Sequence, residues 1–130
     1  MRKTTPPSDL ELQVLSVLWR NGPCTVRDVL PAMPDGKRRA YTTVLSVMQV
    51  MEKKGLLTHT TKGKTHVYRP TVTRRQVVGP MLREMVKNIF GGSPSLVVQQ
   101  LVNNENLDAV ELAAIKKILN DTESHGKKKE

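Results

Sequence analysis

KRRAYTTVLSVMQVMEKKG, residues 37–55, is the stretch on which the fold turns. Val44, Val47, Met48 and Met51 recur at helical spacing, so they line one side of a helix. Thr42 or Thr43 is expected to cap its start. Lys53-Lys54-Gly55 closes it, with cations at the negative end of the helix dipole and a glycine suited to the left-handed cap. The opposite side is short and polar, carrying Thr42, Thr43 and Ser46, and three cations, Lys37, Arg38 and Arg39, lead into it.

Upstream, Ser8-Asp9-Leu10-Glu11 reads as a capping box that opens a helix to about Arg20, with Leu10, Val14, Val17 and Leu18 inward. Asn21-Gly22-Pro23 stops it. A second box, Thr25-Val26-Arg27-Asp28, opens a helix that Pro31 and Pro34 keep short, and the polar loop Asp35–Arg39 follows. Downstream, two β-rich runs at 56–61 and 64–69 meet at Lys62-Gly63, a hairpin signal, and Pro70 ends their pairing. The predicted order is helix, helix, helix, hairpin: a mainly α, winged helix-turn-helix fold. Its third helix can enter a major groove about 12 Å wide, where the hydroxyls of Thr42, Thr43 and Ser46 can reach base edges. Lys37, Arg38 and Arg39 lie near the positive end of that helix, where phosphates are attracted, and Lys62 and Lys64 at the hairpin tip form a wing over the neighbouring backbone.

Beyond residue 72 the pattern changes. Thr73 to Gln76 is a third capping box, leading into a helix with Val78, Leu82, Met85 and Ile89 on one row and Val77, Met81, Val86 and Phe90 beside it. Gly79-Pro80 predicts a kink or a fresh start. Gly91-Gly92 ends this helix, Ser93-Pro94 begins another over 96–102, and Leu107-Asp108 with Glu111 starts a last one over 109–120 with Leu112, Ile115 and Leu119 inward. A two-row stripe is wider than one small neighbour covers. A helix from a second copy and packing back onto the first domain both satisfy it. The expected domains are 1–72, DNA-binding, and 73–121, a helical dimerisation region, with a lysine-rich tail at 122–130 expected to be disordered.

The 130 residues suit one domain with an extension. Only 3% are aromatic, against 38% apolar overall, so the core is aliphatic and small. The formal charge is +9. Residues 37–69 hold eight of the cations and one acid, Glu52, while residues 1–36 balance to zero. A charge run is often only a solvated face, but here it coincides with elements built to meet DNA. No apolar run approaches the ~20 residues of a membrane span and no secretory signal is read, so a cytoplasmic location without membrane binding is expected. The single cysteine, Cys24, cannot form an internal disulfide.

No nucleophile elbow, glycine-rich phosphate loop or paired-carboxylate cluster is present, so an enzyme is not expected. His59 and His66 face each other directly if the hairpin turns at Lys62-Gly63, and with Cys24 they form a nominal metal trio. Structural zinc sites want four ligands at tight spacings, so strand histidines are the better reading, and no metal or cofactor is expected. A winged-helix module that docks an acidic protein and a non-specific DNA-binding protein are the alternatives to a sequence-specific DNA-binding protein.

The runs Leu12–Trp19, Gly22–Val29, Ala40–Leu45, Met51–Leu57 and Val67–Pro70, with Phe90-Gly91-Gly92-Ser93-Pro94 further on, closely resemble the penicillinase-repressor (BlaI/MecI) family of bacterial transcriptional regulators. The likeness spans roughly residues 8–120. It implies an N-terminal winged helix, a C-terminal helical dimerisation region and a homodimer on a palindromic double-stranded DNA operator. By position it places Thr42 and Thr43, beside Tyr41, among base-contacting residues and Lys62 to Lys64 on the wing. It also implies a membrane sensor protease as a pathway partner. Family members that answer to β-lactam sensors are cut at an Asn-Phe bond, where the matching stretch here presents Gln100-Leu101. The copper-responsive relatives carry a C-terminal cysteine cluster, and this chain has no cysteine after Cys24.

Overall fold

The computed structural model describes residues 6–104 and 106–129, and the chain divides into two compact units after Leu82. The first five residues of the expected DNA-binding domain and Glu130 of the expected tail lie outside the described residues.

In the first unit, α1 (Asp9–Asn21) starts at the predicted box: the Ser8 hydroxyl accepts from the Glu11 amide and the Glu11 carboxylate accepts from the Ser8 amide. Gly22, at φ 82°, ends it with its amide donating to Leu18. The box of α2 (Val26–Val29) is likewise reciprocal between Thr25 and Asp28, and Pro31 sits in the first turn of a 3₁₀ segment, Leu30–Ala32, that tightens the end of α2. Helix α3 (Tyr41–Lys53) departs from expectation at its start. Its N-cap is Ala40, with no side-chain cap bond, so Thr42 and Thr43 fall inside the first turn and neither hydroxyl serves as the cap.

Strands β1 (Leu57–Lys62) and β2 (Thr65–Pro70) pair antiparallel, and Cys24 adds a short bridge to Tyr68 through two backbone bonds of 3.0 and 2.8 Å. The turn is Gly63-Lys64 rather than Lys62-Gly63, because glycine at φ 65° supplies the positive φ that the first turn position of a type II′ hairpin demands. That one-residue slip changes the cross-strand partners. His59 pairs with Tyr68 and His66 with Thr61, so the two histidines are diagonal neighbours, stacked with ring centroids 4.1 Å apart, and do not face each other directly.

Val14, Leu15, Val17 and Leu18 of α1, Val26 and Val29 of α2, Val44, Met48 and Met51 of α3, and Leu57 and Tyr68 of the hairpin enclose one core with Cys24 and Met33. Three helices and a hairpin around such a core constitute a winged helix. Helix α4 (Arg74–Ile89) begins at the Thr73–Gln76 box, and its first turns belong to this unit. Val72 and Val77 pack against the core, the Trp19 indole donates to the Val72 carbonyl at 2.9 Å, and the Arg74 guanidinium lies 5.3 Å from the Trp19 ring. These contacts carry the compact unit ten residues past the expected boundary. The helix continues through Pro80, with no fresh start there.

The second unit holds the rest of α4, then α5 (Pro94–Asn104) and α6 (Ala109–Lys129). Gly91 and Gly92, both at positive φ, separate α4 from α5, and the Asp108 carboxylate accepts from the Glu111 amide at the head of α6. The expected disordered tail is corrected: α6 runs on to Lys129, well beyond the expected end at 120. The Thr122 hydroxyl donates back to the Ile118 carbonyl. Among the described residues, none after Tyr68 is buried.

Candidate nucleic-acid interface

Helix α3 hides one side and shows the other. Val44, Met48 and Met51 are buried, while Thr42, Thr43 and Ser46 are exposed and so is Tyr41, at 39%. The Arg27 guanidinium of α2 lies 5.1 Å from the centre of the Tyr41 ring, tying the first helix of the helix-turn-helix to the start of the second. Sequence reading did not single out Arg27, because nothing in its local pattern shows which ring it meets.

The cations separate into two groups. Lys37 and Arg38 are exposed on the loop before α3, and Lys62 and Lys64 are exposed at the hairpin tip. Arg39 and Lys54 are engaged. The Arg39 guanidinium makes a bidentate pair with Asp35, at 2.9 and 2.6 Å, and the Lys54 ammonium bridges both carboxylate oxygens of Glu11 at 3.1 and 3.0 Å. Among the described residues these two are the ion pairs made by lysine or arginine, and the His59 ring is hydrogen-bonded to the Glu52 carboxylate at 2.8 Å, so Lys37, Arg38, Lys62 and Lys64 keep their charge for an outside partner.

Those pairs set the electrostatics beneath the surface. The Arg39 fork, the Lys37 amide and Gln13 hold the Asp35 carboxyl far below the usual carboxylate range, despite partial burial that acts the other way. Burial pushes the Glu11 carboxyl up, but bonds from Ser8 and Lys54 outweigh it and leave the group below its ordinary value. Burial, reinforced by Asp28, raises the Cys24 thiol, whose sulfur donates to the Gly22 carbonyl at 3.3 Å; it is a protonated core side chain, remote from any reactive role. No group of three or more metal-binding side chains occurs among the described residues, and none of their helices is long and apolar enough to cross a membrane.

The family model of the penicillinase repressors matches residues 7–121, nearly the whole chain. The chain belongs to the penicillinase-repressor family. It is 34% identical over 129 residues to the transcriptional regulator BlaI of Mycobacterium tuberculosis, covering 97% of this chain and 92% of that one. To the penicillinase repressor of Bacillus licheniformis it is 24% identical over 127 residues, covering 98% and 99%. Among solved structures it is similar to the DNA-binding domain of the repressor BlaI, at 27% identity and TM-score 0.49 over 57% of this chain and 90% of that one. It is also similar to the monomeric Bacillus licheniformis BlaI in complex with the blaP half-operator, at 27% identity and TM-score 0.47 over 58% and 92%. The penicillinase repressors are transcriptional repressors, not enzymes, and this member is a DNA-binding repressor with a winged-helix domain.

Proposed function

We propose that this penicillinase-repressor family member acts in the cytoplasm as a homodimer on an inverted-repeat operator, reading bases with α3 and gripping phosphates with the preceding loop and the wing. The observation that carries this is the coincidence, on one small unit, of an exposed hydroxyl-bearing side of α3 with four unpaired cations on the flanking loop and hairpin tip. Thr42, Thr43 and Ser46 are short enough to let the helix approach base edges, with Tyr41 at its entrance. Lys37, Arg38, Lys62 and Lys64 are phosphate ligands in this reading, fixing register without reading sequence. The exposed apolar side chains Leu82, Met85, Ile89, Leu112 and Leu119, with the half-buried Val78 and Ile115, supply the dimer seam. Relief of repression through a membrane sensor protease would need a cleavable bond, and Gln100-Leu101 on α5, standing in place of Asn-Phe, argues against cleavage at that position.

Salt titration with two variants tests the division of roles. Neutralised phosphates release counterions, so log K falls by about 0.9 per contact per decade of salt. Lys64→Ala should weaken all duplexes alike and flatten the slope by one to two contacts' worth, about 0.9 to 1.8 per dimer. Thr43→Ala should leave the slope alone and cost roughly 1–3 kcal/mol per affected base contact on the operator only. Equal slope changes in both variants, or a Thr43→Ala defect on random duplex as large as on operator, would refute the assignment.

A further inference from the structure

The loop that leads into α3 carries three cations in a row and, four residues before the last of them, one carboxylate. Asp35 accepts both guanidinium bonds of Arg39, the Lys37 amide at 3.0 Å and the Gln13 side-chain amide at 3.2 Å. Its own backbone amide donates to the Gln13 Oε1 at 3.2 Å, so one side chain of α1 clasps Asp35 from both ends. The Gln13 amide is itself steadied by Asp9 at 2.8 Å. As a result the Arg39 side chain is only 16% exposed and Asp35 23%, while Lys37 and Arg38 beside them are open.

We propose that Asp35 is a specificity-determining residue of the DNA interface, a clamp that withholds Arg39 from the phosphate backbone and, through Gln13, fixes the loop from which α3 projects. The proposal rests on the DNA-binding reading above. An arginine already forked onto a carboxylate neutralises no phosphate and so releases little condensed counterion, and freeing it for DNA would strand a carboxylate against a polyanion. A carboxylate on this loop therefore lowers affinity for every duplex equally. Its return is geometric: the clasp to α1 holds the start of α3 in one position, which matters only where base edges must be met. Arg39 is thus a positioning residue, and the loop offers two phosphate ligands where the sequence suggests three.

The test measures salt dependence of binding to a short random-sequence duplex and to duplexes that the wild-type chain itself selects from a random pool. Asp35→Asn, nearly isosteric, frees Arg39. It should steepen the slope by about 0.9 per protomer, tighten random-duplex binding, and shrink the ratio between selected and random duplex several-fold. Arg39→Ala should leave the random-duplex slope at the wild-type value while reducing the same ratio. The double variant Asp35→Asn/Arg39→Ala should return the slope to wild type. Arg39→Ala flattening the slope by about 0.9 per protomer, with Asp35→Asn leaving it unchanged, would overturn the clamp and make Arg39 an ordinary phosphate ligand. Arg39→Ala lies on an exposed loop and reads out independently if Asp35→Asn melts early. Wild-type protein that binds neither duplex would instead sink the DNA-binding reading itself, so the two failures are distinct.

Discussion

The winged-helix unit and the C-terminal helices use the same kind of amphipathic pattern and end in opposite states. Leu15, Leu18, Met48 and Met51 are at most 1% exposed, whereas Met85 is 44% exposed, Leu119 55% and Ile89 71%. Periodicity specifies a helix and the side that must leave water, but the neighbour that covers that side is another matter. In the first unit three crossing helices and a hairpin supply the cover within one chain. The helices after Leu82 bury nothing fully, and exposed apolar surface of that extent is what the proposed dimer seam would cover.

The sharpest way to break this contrast is to place a charge in the open seam. Met85→Glu would put an unpaired carboxylate where a second copy should pack, at a cost of about 3–5 kcal/mol, so the dimer dissociation constant should rise by ~10²-fold or more. Sedimentation equilibrium reads this directly, and an unchanged dimer, or a wild-type monomer at micromolar concentration, would remove the proposed seam.

A pair of truncations sharpens the comparison. Leu15→Ala opens a cavity in a closed core and should cost 2–5 kcal/mol, lowering the melting temperature of the winged-helix unit by about 10 °C or more. Leu119→Ala trims a side chain already in water within its own chain and should leave that melt in place, its effect appearing in the dimer constant. Calorimetry at several protein concentrations separates the two, and equal shifts would mean that the helices are not an independent surface.

The smallest effect concerns Glu11, the one buried acid among the described residues. Its folded pKa lies below the ordinary value of 4.5, so the stability it contributes is present above that pH and is lost as pH falls through the lower folded value. Glu11→Gln should therefore destabilise by about 1 kcal/mol near neutrality, the scale of a hydrogen bond, and the gap from wild type should close in acid. Melts that stay equally far apart from pH 7 to pH 3 would show that packing, not charge, explains the difference.

Much of the first unit was legible in advance because its signals are local. The boxes at Ser8, Thr25 and Thr73 each involve residues three apart, and all three form as read. The missed features are also instructive. The turn falls at Gly63-Lys64 and not at Lys62-Gly63, which moves every cross-strand partner by two residues, because the register follows from where glycine's positive φ is used. The tail read as disordered from its lysines continues α6, since charge composition alone does not decide whether a helix already under way will stop.

Element order, the inward side of α3 and the concentration of charge between residues 37 and 69 follow from composition and near-neighbour spacing, since they depend on interactions a few residues long. Which cations remain free does not. Lys54 meets Glu11 forty-three positions away, Trp19 meets Val72 across fifty-three, and Asp35 meets Gln13 across twenty-two. Such pairs form only when packing brings distant segments within 3 Å or so. The chain's formal charge therefore overstates what its surface offers to DNA, and the folded arrangement of carboxylates around Arg39 and Lys54 selects the cations left to act.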